Sequence, residues 1–222
     1  MSGPTVSPVT PGTLPGVRPP VVVGWVAIGV AVAWVVVSVL TAVVAQLTKG
    51  EMQAWVEGSG GHGSGFTLIS VLAVVEGLLM LAAWIAAGVW LLGIRRVAAA
   101  TARGYPHRRS EVWALLGWVV PVVSLWFPYQ VVGDALSALR GRSTALLPVR
   151  WTCWLVAMIG GNATGQLGGD LMTADEVGEW VTGIGIAALL MLLALPSWVL
   201  VVRRLTSAAQ SAVTGTAGPV SQ

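Results

Sequence analysis

A chain of 222 residues in which 55% are hydrophobic and 9% charged, with a mean hydropathy of +0.81, lies outside the range of soluble domains, where charged residues make up about a quarter. It reads as a one-domain integral membrane protein, with no connecting loop long enough for a separate soluble unit. The net charge of +3 does not point to nucleic acid, because eleven of the twelve Lys and Arg residues fall in flanking regions that the charge rule assigns to one side of a membrane.

Residues 1–20 carry six prolines and a single charge, Arg18, too little apolar surface to fold, and are expected to be a disordered tail. Residues 21–47 are uncharged; at 1.5 Å per residue such a helix reaches about 40 Å, enough to cross a core of about 30 Å with tilt. The run is too long for a signal peptide and is read as a retained first span. Residues 48–65, with Lys49, Glu51, Glu57 and a glycine-serine run around His62, are expected to form a flexible loop. His62 has no second His or Cys near it and reads as a solvated residue, so no metal site is expected.

The second span, residues 66–94, closes on Arg95 and Arg96 and contains Glu76 near its centre. A carboxylate at that depth has to be protonated, paired or turned toward a polar interior, which leaves two readings: a neutral carboxyl that holds helices together, or a relay for protons or ions. Arg95, Arg96, Arg103, Arg108 and Arg109 then mark a cytoplasmic connection.

The organising stretch follows, from Gly117 to Gln130, apolar but broken at Pro121 and Pro128 and bracketed by arginines on both sides. A single crossing would put one arginine pair outside, so residues 112–139 are expected to enter and return, or to lie at the interface, as a short helix. The third span is expected over residues 151–171. There Gly161, Gly165 and Gly169, with Gly160, Thr164 and Gly168 beside them, repeat at helical spacing and offer a close-packing face, so this helix should be the most buried. Asn162, Gln166 and Asp170 form a parallel polar row, and its inner end is a partner for Glu76. Cys153, the single cysteine, can form neither an intrachain disulfide nor a thiolate metal cage and reads as a small packed residue.

Asp170, Asp175, Glu176 and Glu179 make an acidic outer loop, and residues 180–202 form the last span, with Pro196 expected to kink it before Arg203 and Arg204. Residues 205–222 are expected to be a disordered tail. Of the twelve tryptophans, Trp25, Trp90, Trp113, Trp126, Trp151, Trp180 and Trp198 fall near expected boundaries, as an aromatic belt does. The expected architecture is an all-α membrane protein: a four-helix transmembrane bundle over residues 21–204 with one short proline-broken re-entrant or interfacial helix. Both termini are cytoplasmic in this reading, and the membrane is the plasma membrane of a bacterium.

The residues Trp113, Gly117, Trp118, Pro121, Leu125, Trp126, Pro128, Tyr129 and Gln130, preceded by Arg108-Arg109-Ser110 and followed by Asp134 and Trp151, carry a resemblance. They are similar to a bacterial, mainly actinobacterial, family of membrane proteins catalogued as domain of unknown function 4328, which has a Trp-rich segment reading roughly GWxxPxxNLWxPYQ. Ser124 stands where that family usually has Asn. The resemblance, taken over residues 21–204, implies architecture and no activity.

Two functions remain in view. The first is a structural or accessory scaffold that packs through its glycine faces and meets a membrane-protein partner or a second copy of itself within the lipid bilayer. The second is a small transporter or proton-coupled channel built on Glu76 and the Asn162, Gln166 and Asp170 row. An enzyme is not expected, since no span holds a Ser/His pair, an HExxH motif or paired aspartates, and no cofactor is called for.

Overall fold

The computed structural model describes residues 18–60, 63–101 and 173–215, together with 130, 132–135, 139 and 152. Three long helices dominate: α1 (Val21–Val56), α2 (Ser64–Thr101) and α3 (Ala174–Thr214). Each is long and apolar enough to cross a membrane, and the described residues are all-helical, without strands. At 36, 38 and 41 residues the helices run to about 54–62 Å, well beyond a core of about 30 Å.

That excess corrects three expectations. Helix α1 continues to Val56, so it takes in residues 48–56 of the expected loop; the Gln53 carbonyl keeps the last turn in register by accepting from the Glu57 N–H at 3.0 Å. Helix α2 starts at Ser64, whose hydroxyl donates to Glu51 at 2.5 Å, and passes through Arg95 and Arg96 to Thr101. Helix α3 runs without interruption through Pro196 and past Arg203 and Arg204 to Thr214, closing on Gly215, where a disordered tail from residue 205 was expected. Leu205, Thr206, Ala208 and Ala209 are buried there, which is why the chain stays helical.

The start of α3 is set by a capping box. The Glu176 N–H donates to Thr173 Oγ1 at 3.3 Å, and the Thr173 N–H donates to the Glu176 carboxylate at 2.6 Å. The Thr173 backbone N–H first, and its hydroxyl second, hold the Glu176 carboxyl below its ordinary value.

Helix α1 runs antiparallel to both other helices and lies between them: it packs broadly against each, whereas α2 and α3 meet over a smaller area. At one end Gly24 sits against Trp90 and Thr206, and at the other Gly65 meets Thr48 and Met52 while Gly178 faces Lys49 and Gln53. Two close approaches, at Gly65 and at Gly93, leave no room for a side chain. A methyl on Gly65 would lie 2.7 Å from Thr48 Oγ1, and one on Gly93 would lie 2.8 Å from the Pro20 ring. Glycine lets the backbones close at those points.

The buried residues of α1 follow a seam. Gly24, Ala27, Trp34, Ser38, Thr41, Ala45 and Met52 are buried and follow at steps of three, four or their sum, seven, the period of a helix that faces neighbours along its whole length. Three core clusters lie along this seam. The largest, at the arginine-bearing end, joins Ala27, Ile28, Trp90, Leu91, Ile94, Val97, Val202, Leu205 and Ala209 with Val132 and Ala135 of the intervening chain. The middle one holds Trp34, Val35, Ala83 and Met191. The third holds Ala45, Met52, Ile69, Val177 and Val181, beside an aromatic row in which Phe66 meets Trp55 edge-on at 5.4 Å and stacks on Trp180 at 6.1 Å.

Candidate functional site

Glu76 lies twelve residues into α2, about 18 Å along its axis, half-buried on the side that faces α1. Its Oε1 makes a short hydrogen bond with Ser38 Oγ. Ser38 is 5% exposed, and its Oγ also lies 3.1 Å from the Trp34 carbonyl one turn earlier. The three groups form a line across the α1/α2 interface: carboxyl, hydroxyl, backbone carbonyl. Among the described residues Ser38 is the one hydrogen-bond partner of Glu76. The partner expected from sequence, the row of Asn162, Gln166 and Asp170, lies outside the described residues, as do Gly161, Gly165 and Gly169.

Among the described helices, charge is otherwise missing from the stretches around this position. Residues 21–48 of α1, 180–202 of α3 and the rest of 66–94 of α2 contain no Asp, Glu, Lys, Arg or His. A charged side chain at the centre of a membrane-spanning helix costs about 2.5–3.5 kcal/mol on insertion scales, while one interhelical hydrogen bond returns on average about 0.6 kcal/mol.

Two further polar atoms of the middle region are buried. The indole N–H groups of Trp34 and Trp84 have no acceptor among the described residues. An unsatisfied buried donor costs about 1–3 kcal/mol, so the middle of the bundle tolerates polar groups that a fully optimised core would exclude.

The arginine-bearing end is built differently. Trp90, expected in an aromatic belt, is 0% exposed; its Nε1 donates to Thr206 Oγ1 at 3.0 Å, and its ring meets Trp198 edge-on at 5.8 Å. It is a core residue because α3 continues far enough to cover it. Arg95 and Asp134, 5% and 8% exposed, are buried in the same end and each engages a partner. Residues 132–135 and 139 are helical, with Val132 and Ala135 packed on α2 and α3 and Leu139 against them. Of the motif residues, Gln130 is helical and half-buried; Trp113, Gly117, Trp118, Pro121, Leu125, Trp126, Pro128 and Tyr129 lie outside the described residues, and with them the re-entrant helix.

Sequence reasoning singled out Glu76 and missed Ser38. The signal was present: Ser38 and Thr41 are the two hydroxyl residues in an otherwise apolar run, and Gly24, Ala31, Ser38 and Ala45 recur at intervals of seven. No group of three or more potential metal ligands occurs among the described residues.

A family model described as a domain of unknown function (DUF4328) matches residues 65–209. No curated protein and no solved structure matches the chain. The match takes in Glu76, all of the motif stretch and most of α3. It begins after α1, whereas the resemblance was expected to reach back to residue 21.

Proposed function

Because the chain belongs to the family described as domain of unknown function DUF4328, whose description assigns no activity, we propose a function from the packing itself: a structural or accessory protein of a bacterial plasma membrane. In this reading α1 is the spine of a four-helix bundle, and the protein is not an enzyme and binds neither cofactor nor nucleic acid. Its partners are the lipid bilayer and either another membrane protein or a second copy of the chain. The observation that supports it is the destination of the carboxyl within α2, Glu76, which is spent on the α1 seam at Ser38 and so holds two helices together.

Both termini are cytoplasmic in this arrangement, with Arg18, Arg95, Arg96, Arg203 and Arg204 inside and Lys49, Glu51, Asp175, Glu176 and Glu179 outside. In a Cys153→Ser background, Gly60→Cys and Asp175→Cys should react with an impermeant thiol reagent in intact cells, and Gly104→Cys should be protected. The opposite pattern reverses the orientation.

A second reading, a small proton-coupled transporter or channel using Glu76 with Asn162, Gln166 and Asp170, is favoured by the half-exposed position of Glu76 twelve residues into α2. Proton and cation flux into vesicles carrying the full chain separates the two. The scaffold requires none above empty vesicles, and flux that Glu76→Gln abolishes would replace it with the transporter.

A further inference from the structure

We propose that Glu76, Ser38 and the Trp34 carbonyl form a proton-holding site inside the bundle, in which the Glu76 carboxylic acid donates to Ser38 Oγ and the Ser38 hydroxyl donates to the Trp34 oxygen. The inference goes beyond the scaffold reading and depends on neither it nor transport. It rests on a count of hydrogens. A serine hydroxyl has one hydrogen and two lone pairs. Ser38 Oγ lies within hydrogen-bonding reach of two oxygens, Trp34 O and Glu76 Oε1. The Trp34 carbonyl only accepts, so when it takes the serine hydrogen the contact to Glu76 requires a second hydrogen, and a protonated carboxyl is the group present that can supply one.

The surroundings favour that form. No described charged residue lies opposite Glu76 from either α1 or α3 within their uncharged stretches, residues 21–48 and 180–202. Along α1 the nearest described charge to Ser38 is Lys49, eleven residues on, about 16 Å of helix. Among the described residues no cation is placed to stabilise a carboxylate at Ser38, and the ionised form would have to strip the serine hydrogen from the Trp34 carbonyl. The ligand of the site is thus a single proton, held by an acid, a hydroxyl and a main-chain oxygen in series.

Infrared spectroscopy of the full chain in phosphatidylcholine vesicles reads this hydrogen directly. At neutral pH the spectrum of the unaltered protein minus that of Glu76→Gln should contain a carboxylic-acid carbonyl band; carboxylate bands in its place would overturn the proposal. Ser38→Ala should shift the acid band, since the acid hydrogen loses its acceptor, and Ser38→Thr should restore it. An unmoved band in Ser38→Ala would remove the serine from the site and with it the inference. Should Glu76→Gln fail to fold, dicyclohexylcarbodiimide reports on the unaltered chain. Its nitrogen takes the acid hydrogen as the carboxyl oxygen bonds its central carbon, so it modifies the acid form. An adduct mapped to Glu76 at neutral pH, diminishing as the pH is raised, is expected, and its absence would count the proposal out.

Discussion

The arginine-bearing end of the bundle and its middle are assembled from the same three helices by different rules. At the end, Trp90, Leu91, Ile94 and Val97 are fully covered, the one indole N–H of that core is satisfied by Thr206, and the cluster gathers residues from four parts of the chain. In the middle, the core narrows to Trp34, Val35, Ala83 and Met191, two indoles lack acceptors among the described residues, and Val71, Val74, Leu78, Leu81 and Ile85 are exposed along α2. The contrast follows from solvent. Leu205, Ala208 and Ala209 lie beyond Arg203, and Val97 and Ala98 beyond Arg95, where in a membrane setting water returns and each Å² of apolar surface removed from it contributes roughly 25 cal/mol. Between lipid tails that driving force is absent, and contact depends on close packing and hydrogen bonds.

Truncating Trp90 should break the comparison most sharply. Trp90→Ala is expected to destabilise the folded protein by about 3–5 kcal/mol, the range for a fully buried aromatic, measured by denaturant-induced unfolding in detergent. A loss below that of Trp34→Ala would mean that the end is not the better packed region.

Alanine at two glycines of α2 gives the next largest effect, with opposite signs. Gly93→Ala places a methyl 2.8 Å from Pro20 and should cost about 1–3 kcal/mol by overpacking. Gly77→Ala meets nothing within 4 Å and should stabilise α2 by about 0.5–1 kcal/mol, the usual gain over glycine inside a helix. Thermal unfolding of the pair checks both, and equal shifts would remove the distinction between a closed end and an open middle.

Replacing each indole by phenyl isolates the hydrogen bond. Trp90→Phe strands Thr206 and should cost about 1–3 kcal/mol, whereas Trp34→Phe removes a donor that has no acceptor and should change stability by less than about 0.5 kcal/mol or raise it. Matching losses would show that the Trp34 N–H is satisfied after all.

The smallest effect lies at the capped start of α3. The Glu176 carboxyl is held below its unfolded value, so its contribution is fully present above the unfolded carboxyl pKa and disappears as pH falls through the lower folded one. Unfolding measured from neutral to acidic pH should therefore show a component that Glu176→Gln removes and that Thr173→Ala reduces, since alanine takes away the hydroxyl but keeps the backbone N–H, the larger of the two causes, while Trp90→Ala leaves it in place. A component untouched by Glu176→Gln would assign it to another carboxyl.

Much of this was legible from charge and hydropathy. The three apolar runs appear as helices, and Glu76 stands at an interface between two of them. What stayed hidden has physical causes. The ends of α2 and α3 were set at arginines because hydropathy falls there, yet Val97, Ala98, Leu205, Ala208 and Ala209 continue the same buried stripe among polar neighbours, and it is the stripe that keeps the chain helical. The seam of α1 was invisible because valine surrounds it on every face, so apolar periodicity carries no contrast. Only residue size marks the seam, in the recurrence of Gly24, Ala31, Ser38 and Ala45. The loop after α1 was drawn too long because its glycines were read together with Lys49 and Glu51, which remain on the helix.

The position of α1 between α2 and α3 also fixes an order of assembly. The hairpin of α1 and α2 is complete once Thr101 is made, and Ser38 and Glu76 can join at that moment. Helix α3 reaches its last turn at Thr214, 113 residues later, which at about 5–20 residues per second of synthesis is a delay of about 6–23 s. Through that interval the face of α1 that packs on α3 is without that partner, and the hairpin must persist on its own contacts. The bond between Ser38 and Glu76 is thus among the few polar contacts available to hold the nascent pair while the rest of the chain is still being synthesised.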